Sequence, residues 1–90
     1  MRIGFDPIKR ADTLAHRGLD MAQCAHVFDG VSLTFSDLRQ DYGEDRFITV
    51  GYYEGRMVVL VWTNRGDERR IISLRKANER EIKLYESRLD

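Results

Sequence analysis

One cysteine, one proline and two histidines in 90 residues are small numbers, and each scarcity excludes something. A lone Cys24 cannot build an intramolecular disulfide framework, and one cysteine with two histidines offers no ligand cluster for structural zinc. A single proline among only seven glycines argues against a linker or a disordered tail. Long apolar runs are missing too: the longest, Met57 to Trp62, falls far short of the ~18 residues that a membrane span needs. Acidic Asp6 and then Pro7 follow the N-terminus almost at once, unlike a signal peptide, so a cytoplasmic location is expected. The formal net charge is zero, which argues against strong nonspecific binding to nucleic acid.

What is present suits one globular domain covering residues 1–90, with 42% hydrophobic and 33% charged residues. The charge is unevenly spread. Residues 1–45 carry five basic against eight acidic side chains, whereas residues 46–90 carry ten against seven. Twelve of the fifteen basic residues are arginine, whose planar fork grips phosphates and carboxylates at two points. The C-terminal half therefore keeps RNA, DNA or an acidic protein open as partners.

The hydrophobic pattern predicts the elements. Ile3 and Phe5 alternate as a short opening strand, which Asp6-Pro7 ends by starting a helix to about His16, terminated by Gly18. Asp20 and Gln23 predict a capping box for a second helix, with Leu19 and Cys24 as its hydrophobic staple, ending before Gly30. A strand over Val31 to Phe35 leads into an exposed loop, Ser36 to Asp45. Strands over Arg46 to Tyr53, Met57 to Thr63 and Arg69 to Arg75 then form an antiparallel β-meander with the middle one central. A last helix covers Lys76 to Leu89. The expected class is α+β: a short N-terminal strand, two helices, the meander and a C-terminal helix.

Residues that could carry chemistry concentrate near the C-terminus. On the last helix Ala77, Ile82, Leu84, Tyr85 and Leu89 form an apolar stripe, and Glu81 falls inside it. A carboxylate there must be paired, and an arginine of the preceding strand is the simplest partner. Strict alternation places Arg69, Ile71, Ser73 and Arg75 on one face of that strand and Arg70, Ile72 and Leu74 on the other. His16 suits a favourable charge at a helix C-terminus, His26 a packing role, and Cys24 a structural thiol. Ser73 lacks the context of a serine nucleophile, and Gly51 and Gly55 do not make a phosphate loop.

Together these residues carry a signature. The run Arg70-Ile71-Ile72-Ser73-Leu74-Arg75-Lys76-Ala77, followed by Glu81 and Tyr85, strongly resembles the BrnT family of toxin ribonucleases. Phe5-Asp6-Pro7 with Lys9, His16-Arg17-Gly18, Val27-Phe28 and Gly43-Glu44-Asp45-Arg46 resemble it in the same order. Phe5 stands where the family usually has tryptophan, and a basic residue follows His16 rather than preceding it.

The resemblance implies a RelE-like fold, a type II toxin that cleaves RNA and arrests translation, and neutralisation by a BrnA-like ribbon-helix-helix antitoxin. The complex would bind operator DNA through the antitoxin, and a dimer within the complex is compatible. No cofactor is expected. Without metal ligands, an endoribonuclease must use the 2′-hydroxyl of its substrate as nucleophile, with a base, an acid and cations for the phosphorane charge. Arg70 and Arg75 suit the charge role, with Arg46 a third candidate; His16, Glu81 or Tyr85 could move protons. The other reading of the residues is a non-catalytic module whose arginine face docks an acidic partner segment.

Overall fold

The computed structural model describes residues 1–89. The expected α+β order is found. Strand β1 (Arg2–Phe5) leads into helix α1 (Pro7–Arg17), whose start is capped by Asp6 accepting from the Ile8 amide at 2.9 Å. Gly18 ends it at φ 68°, a left-handed conformation that a side chain would resist. The second helix starts differently from expectation. Asp20 caps the Ala22 amide at 2.9 Å, and Met21–Gln23 winds as a 3₁₀ turn before α2 (Cys24–Asp29). Asp20 is also gripped by Arg10 at 2.7 and 3.0 Å, so this cap doubles as the tie between α1 and the turn.

Strands β2 (Leu33–Ser36), β3 (Arg46–Tyr53), β4 (Arg56–Arg65) and β5 (Glu68–Lys76) complete a five-stranded sheet in the order β1-β5-β4-β3-β2. The meander is antiparallel, β4 is central as expected, and β1 adds to β5 in parallel. Helix α3 (Glu79–Leu89) begins three residues later than predicted, because Lys76 still pairs with Val58 and the Ala77 amide donates to the Met57 carbonyl.

One face of the sheet carries the larger core: Val58, Leu60, Trp62, Ile71 and Leu74 against Leu19, Met21, Cys24 and Val27. Trp62 anchors it, with Phe47 and Phe28 rings 4.8 and 5.4 Å away and its indole N–H donating to Thr49 at 2.8 Å. Arg69 lies on this face, 4.6 Å from the centres of both the Phe28 and Trp62 rings, so it packs as a cation on aromatics rather than as a free surface charge. The thiol of Cys24 is enclosed here and burial pushes its pKa up to about 12, as suits a structural cysteine. His26, expected to pack, instead faces solvent.

The strict alternation expected for β5 fails at one residue. Val61 pairs with Ser73 but Trp62 pairs with Ile71, leaving Ile72 without a partner in a β-bulge. Ile71 and Leu74 therefore both reach the larger core, while Arg70, Ser73 and Arg75 share the opposite face. The same region is an edge, since β1 accompanies β5 only as far as Ile71. Beyond it, Lys9 and Arg17 of α1 donate to the carbonyls of Ile72 and Leu74, the latter at 2.7 Å. Helix α1 buries none of its residues, so these cationic hooks, which also blunt the sheet edge, are a main attachment.

Gly51 of β3 lies directly against Val27 of α2. A Cβ there would lie 2.8 Å from Val27 Cγ1 and 3.3 Å from Ser32 Cβ. Gly51→Ala should therefore destabilise the fold by about 1–3 kcal/mol, the usual cost of overpacking. Thermal unfolding checks this, and an unchanged midpoint would mean that α2 can retreat freely.

Candidate functional site

The face opposite Trp62 is built in cross-strand rows. Leu33, Val50, Val59 and Arg75 form one row; Phe35, Ile48, Val61 and Ser73 the next; Arg46, Thr63 and Arg70 a third. Helix α3 covers the first of these with Ile82, Tyr85 and Leu89, spaced so that they share one cluster with Val50, Met57 and Val59. Leu84, expected within that stripe, is 55% exposed, so the buried face is rotated away from it. Between sheet and helix lies a cavity of about 200 Å³ with an apolar floor of Ile48, Val50, Val59 and Val61. Its polar lining is Arg39, Ser73, Arg75, Glu81 and Tyr85.

Glu81 sits at the margin of the apolar stripe and is paired as its position demanded. The Arg75 guanidinium donates to its two oxygens at 2.7 and 2.9 Å, a two-point fork. Glu81 also closes the start of α3: it accepts from the Asn78 amide at 2.9 Å while Asn78 accepts from the Glu81 amide at 2.9 Å. That reciprocal capping box places the carboxylate at a fixed height above β5. The hydrogen bonds from Arg75, and behind them the Asn78 amide, hold the Glu81 carboxyl down at about 2 although partial burial works the other way. Such a carboxylate is a weak base with both oxygens occupied.

Tyr85 lies one turn further along α3, stacked 6.1 Å from the Phe35 ring, and lines the same cavity. Three of the residues singled out in the sequence, Arg75, Glu81 and Tyr85, are thus brought together. Arg70 and Arg46 share their sheet face in the neighbouring row but do not line the cavity. Among the described residues Arg70 makes no ion pair, whereas Arg46 pairs with Glu44 at 3.3 Å and stacks 4.1 Å from the Tyr42 ring. His16 is not brought to the cavity. It stays on the last turn of α1, 3.0 Å from Asp12 and largely exposed.

Sequence reasoning missed Arg39 and Asp37, both placed in a loop read as exposed. The Asp37 side chain is fully buried, with Arg39 donating to its two oxygens at 2.7 Å each and Tyr42 adding a hydroxyl at 3.2 Å. Hydrogen bonds from Arg39 hold the Asp37 carboxyl down at about 2 against the effect of burial. The available signal was an Asp-x-Arg spacing directly after a strand, close enough for a local fork. Ser73 also lines the cavity, as a hydroxyl without a histidine partner.

The family model described as ribonuclease toxin, BrnT, of type II toxin-antitoxin system matches residues 5–81. That span begins at Phe5, the last residue of β1, and ends at Glu81, so it contains strands β2 to β5 and the Arg75–Glu81 fork. No curated protein is similar enough to match.

Glu81 and Asp37 make acid stability a direct readout of the site. Both carboxyls are depressed from ordinary values of 4.5 and 3.8 to about 2, so their stabilisation is complete above the ordinary values and is lost as pH falls toward 2. Glu81→Gln should remove part of that acid-limb slope. At neutral pH it should cost about 1–2 kcal/mol, the scale for a charged hydrogen bond discounted for the half-exposed Arg75. Denaturant unfolding between pH 2 and 7 measures both; parallel curves would mean that the fork contributes nothing.

Proposed function

The chain belongs to the BrnT family of ribonuclease toxins of type II toxin-antitoxin systems, and from that premise we propose that it is a cytoplasmic, metal-independent endoribonuclease that arrests translation by cleaving RNA at the cavity between β5 and α3. The observation that carries this reading is the Arg75–Glu81 fork with Tyr85, a fixed guanidinium and a tyrosine side chain lining one recess. Among the described residues no three His, Cys, Asp or Glu side chains are grouped as a metal site requires, so the protein's own cations are the natural partners of a phosphate.

In this mechanism the 2′-hydroxyl attacks the adjacent phosphorus, its proton passes to a base, and the P–O5′ bond breaks as an acid protonates the leaving oxygen. The products are a 2′,3′-cyclic phosphate and a 5′-hydroxyl. Arg75 neutralises charge on the phosphorane oxygens, where a fixed donor acts without reorganisation. Arg70 and Arg46, two rows from Arg75 on the same face, hold flanking phosphates of the strand. The Tyr85 hydroxyl, which has no protein partner among the described residues, is the proton carrier that the cavity offers. Glu81 serves as a positioning residue for Arg75, because its oxygens are occupied and its basicity is low. His16 lies outside this recess and would enter only if RNA reached around the sheet edge.

A type II system implies an antitoxin partner. We propose that it is a BrnA-like ribbon-helix-helix protein, that the neutralised complex binds operator DNA through it, and that any dimer of the toxin forms within that complex.

Purified protein free of antitoxin should cleave RNA undiminished in excess chelator and leave 2′,3′-cyclic or 3′-phosphate ends. Activity lost in chelator and restored by a divalent ion would sink the mechanism. Arg75→Ala should lower single-turnover cleavage by ~100-fold or more, the scale for losing one donor to a developing charge. Arg75→Lys should rescue it only partly, since a point charge lacks the fork. Glu81→Gln should slow cleavage while leaving the shape of its pH profile unmoved; loss of an acidic limb would make Glu81 a base.

A further inference from the structure

Arg39 reaches the cavity from the loop after β2, whereas Arg75 reaches it from β5. The Arg39 side chain is 64% exposed, while the Asp37 carboxylate that holds it is wholly enclosed. Burying a carboxylate is costly, and this one is compensated almost entirely by a single guanidinium and the Tyr42 hydroxyl. Arg39 uses Nε and Nη2 for Asp37, which fixes the plane of its fork and leaves Nη1 without a protein partner among the described residues. Arg75 is likewise held by one carboxylate, but through Nη1 and Nη2 to Glu81, which leaves its Nε without a protein partner among the described residues. The charge of Arg39 acts against that of Arg75, so the two cations are near enough to feel one another. Two guanidiniums held toward one recess by separate carboxylates would both attract an anion placed between them. A turn closure alone would explain Asp37, whose oxygen also accepts from the Arg39 amide at 3.2 Å. It would not explain why the guanidinium lines the same recess as Arg75.

We propose that Arg39 is a phosphodiester ligand acting with Arg75, and that buried Asp37 is the positioning residue that aims it. The anion is an RNA phosphodiester on the strength of the ribonuclease reading, on which this inference rests in that respect. The two guanidiniums then contact different oxygens of the scissile phosphate, Arg75 from the sheet and Arg39 from the loop. Asp37 never touches the substrate.

Inorganic phosphate is the probe. A ligand that binds only the folded protein raises its melting temperature, so thermal unfolding with and without phosphate reports the site apart from cleavage. The wild-type melting temperature should rise with phosphate. Arg39→Ala would strand a buried carboxylate and could prevent folding, so the informative variant is the neutral pair Asp37→Asn with Arg39→Gln. It should lose most of the phosphate response and cleave ~100-fold more slowly in single turnover. Arg39→Lys should keep part of both, because it retains charge without the fork. Asp37→Asn alone should weaken the phosphate response several-fold while the charge of Arg39 remains. A neutral pair that melts and cleaves like wild type, with its phosphate response intact, would overturn the proposal and leave Arg39 a loop-closing residue. If the neutral pair fails to fold, an Arg39→Lys variant identical to wild type in both readouts overturns it instead. Wild-type protein that responds to phosphate through Arg39 yet leaves RNA intact would overturn the ribonuclease reading and keep the anion site.

Discussion

The extra residue at Ile72 is the constraint on which both faces of this sheet depend. A regular β5 would place Arg70 and Leu74 on one side and Ile71 and Arg75 on the other, setting one arginine and one core residue on each face. The bulge reverses the alternation once, so Ile71 and Leu74 join the same core while Arg70 and Arg75 share the other face. Without it, one arginine would need burial beneath α2 or one apolar residue would face the recess. The bulged carbonyl is not wasted, since Lys9 of α1 donates to it. A single insertion thus sorts the strand into an apolar and a cationic side and provides an attachment for the first helix.

The recess is organised by carboxylates more than by its arginines. Glu81 and Asp37 are each taken largely out of water, and each is satisfied by a fork from one arginine together with a backbone amide. Such pairs add little net stability, because desolvation offsets most of the attraction. Their effect is geometric: they fix flexible cations in place before any ligand arrives, which lowers the entropic cost of binding an anion. Glu81 carries two duties at once. It closes the first turn of α3 and orients Arg75, so the position of the helix and that of the guanidinium cannot vary independently.

Much of the architecture was legible because its signals are local. Arg46 to Tyr53 was read with its observed bounds, since alternation and the Glu54-Gly55 turn are contained in the strand itself. The α1 cap and its glycine stop were read for the same reason. The start of α3 was misread because the helical pattern of Lys76 and Ala77 cannot report that Val58 and Met57 lie alongside them. Arg39 was missed because the Asp-x-Arg spacing can signal a local fork but not that its aspartate is enclosed, and His26 was expected to pack because its neighbours Val27 and Phe28 do.

Local patterns along the chain were enough for the class of fold, the pairing of Glu81 with an arginine of the preceding strand and the signature of the family. Periodicity, capping residues and the order of a motif are properties of neighbouring positions along a chain, and those survive folding unchanged. Tertiary structure alone decided which arginines share a face, that Asp37 is enclosed, and that His16 stays away from the recess. The shared face follows from register, and register is set by the partner strand: one residue of slip in β5 exchanges every side chain between core and recess, and nothing within the strand records that the slip occurs at Ile72.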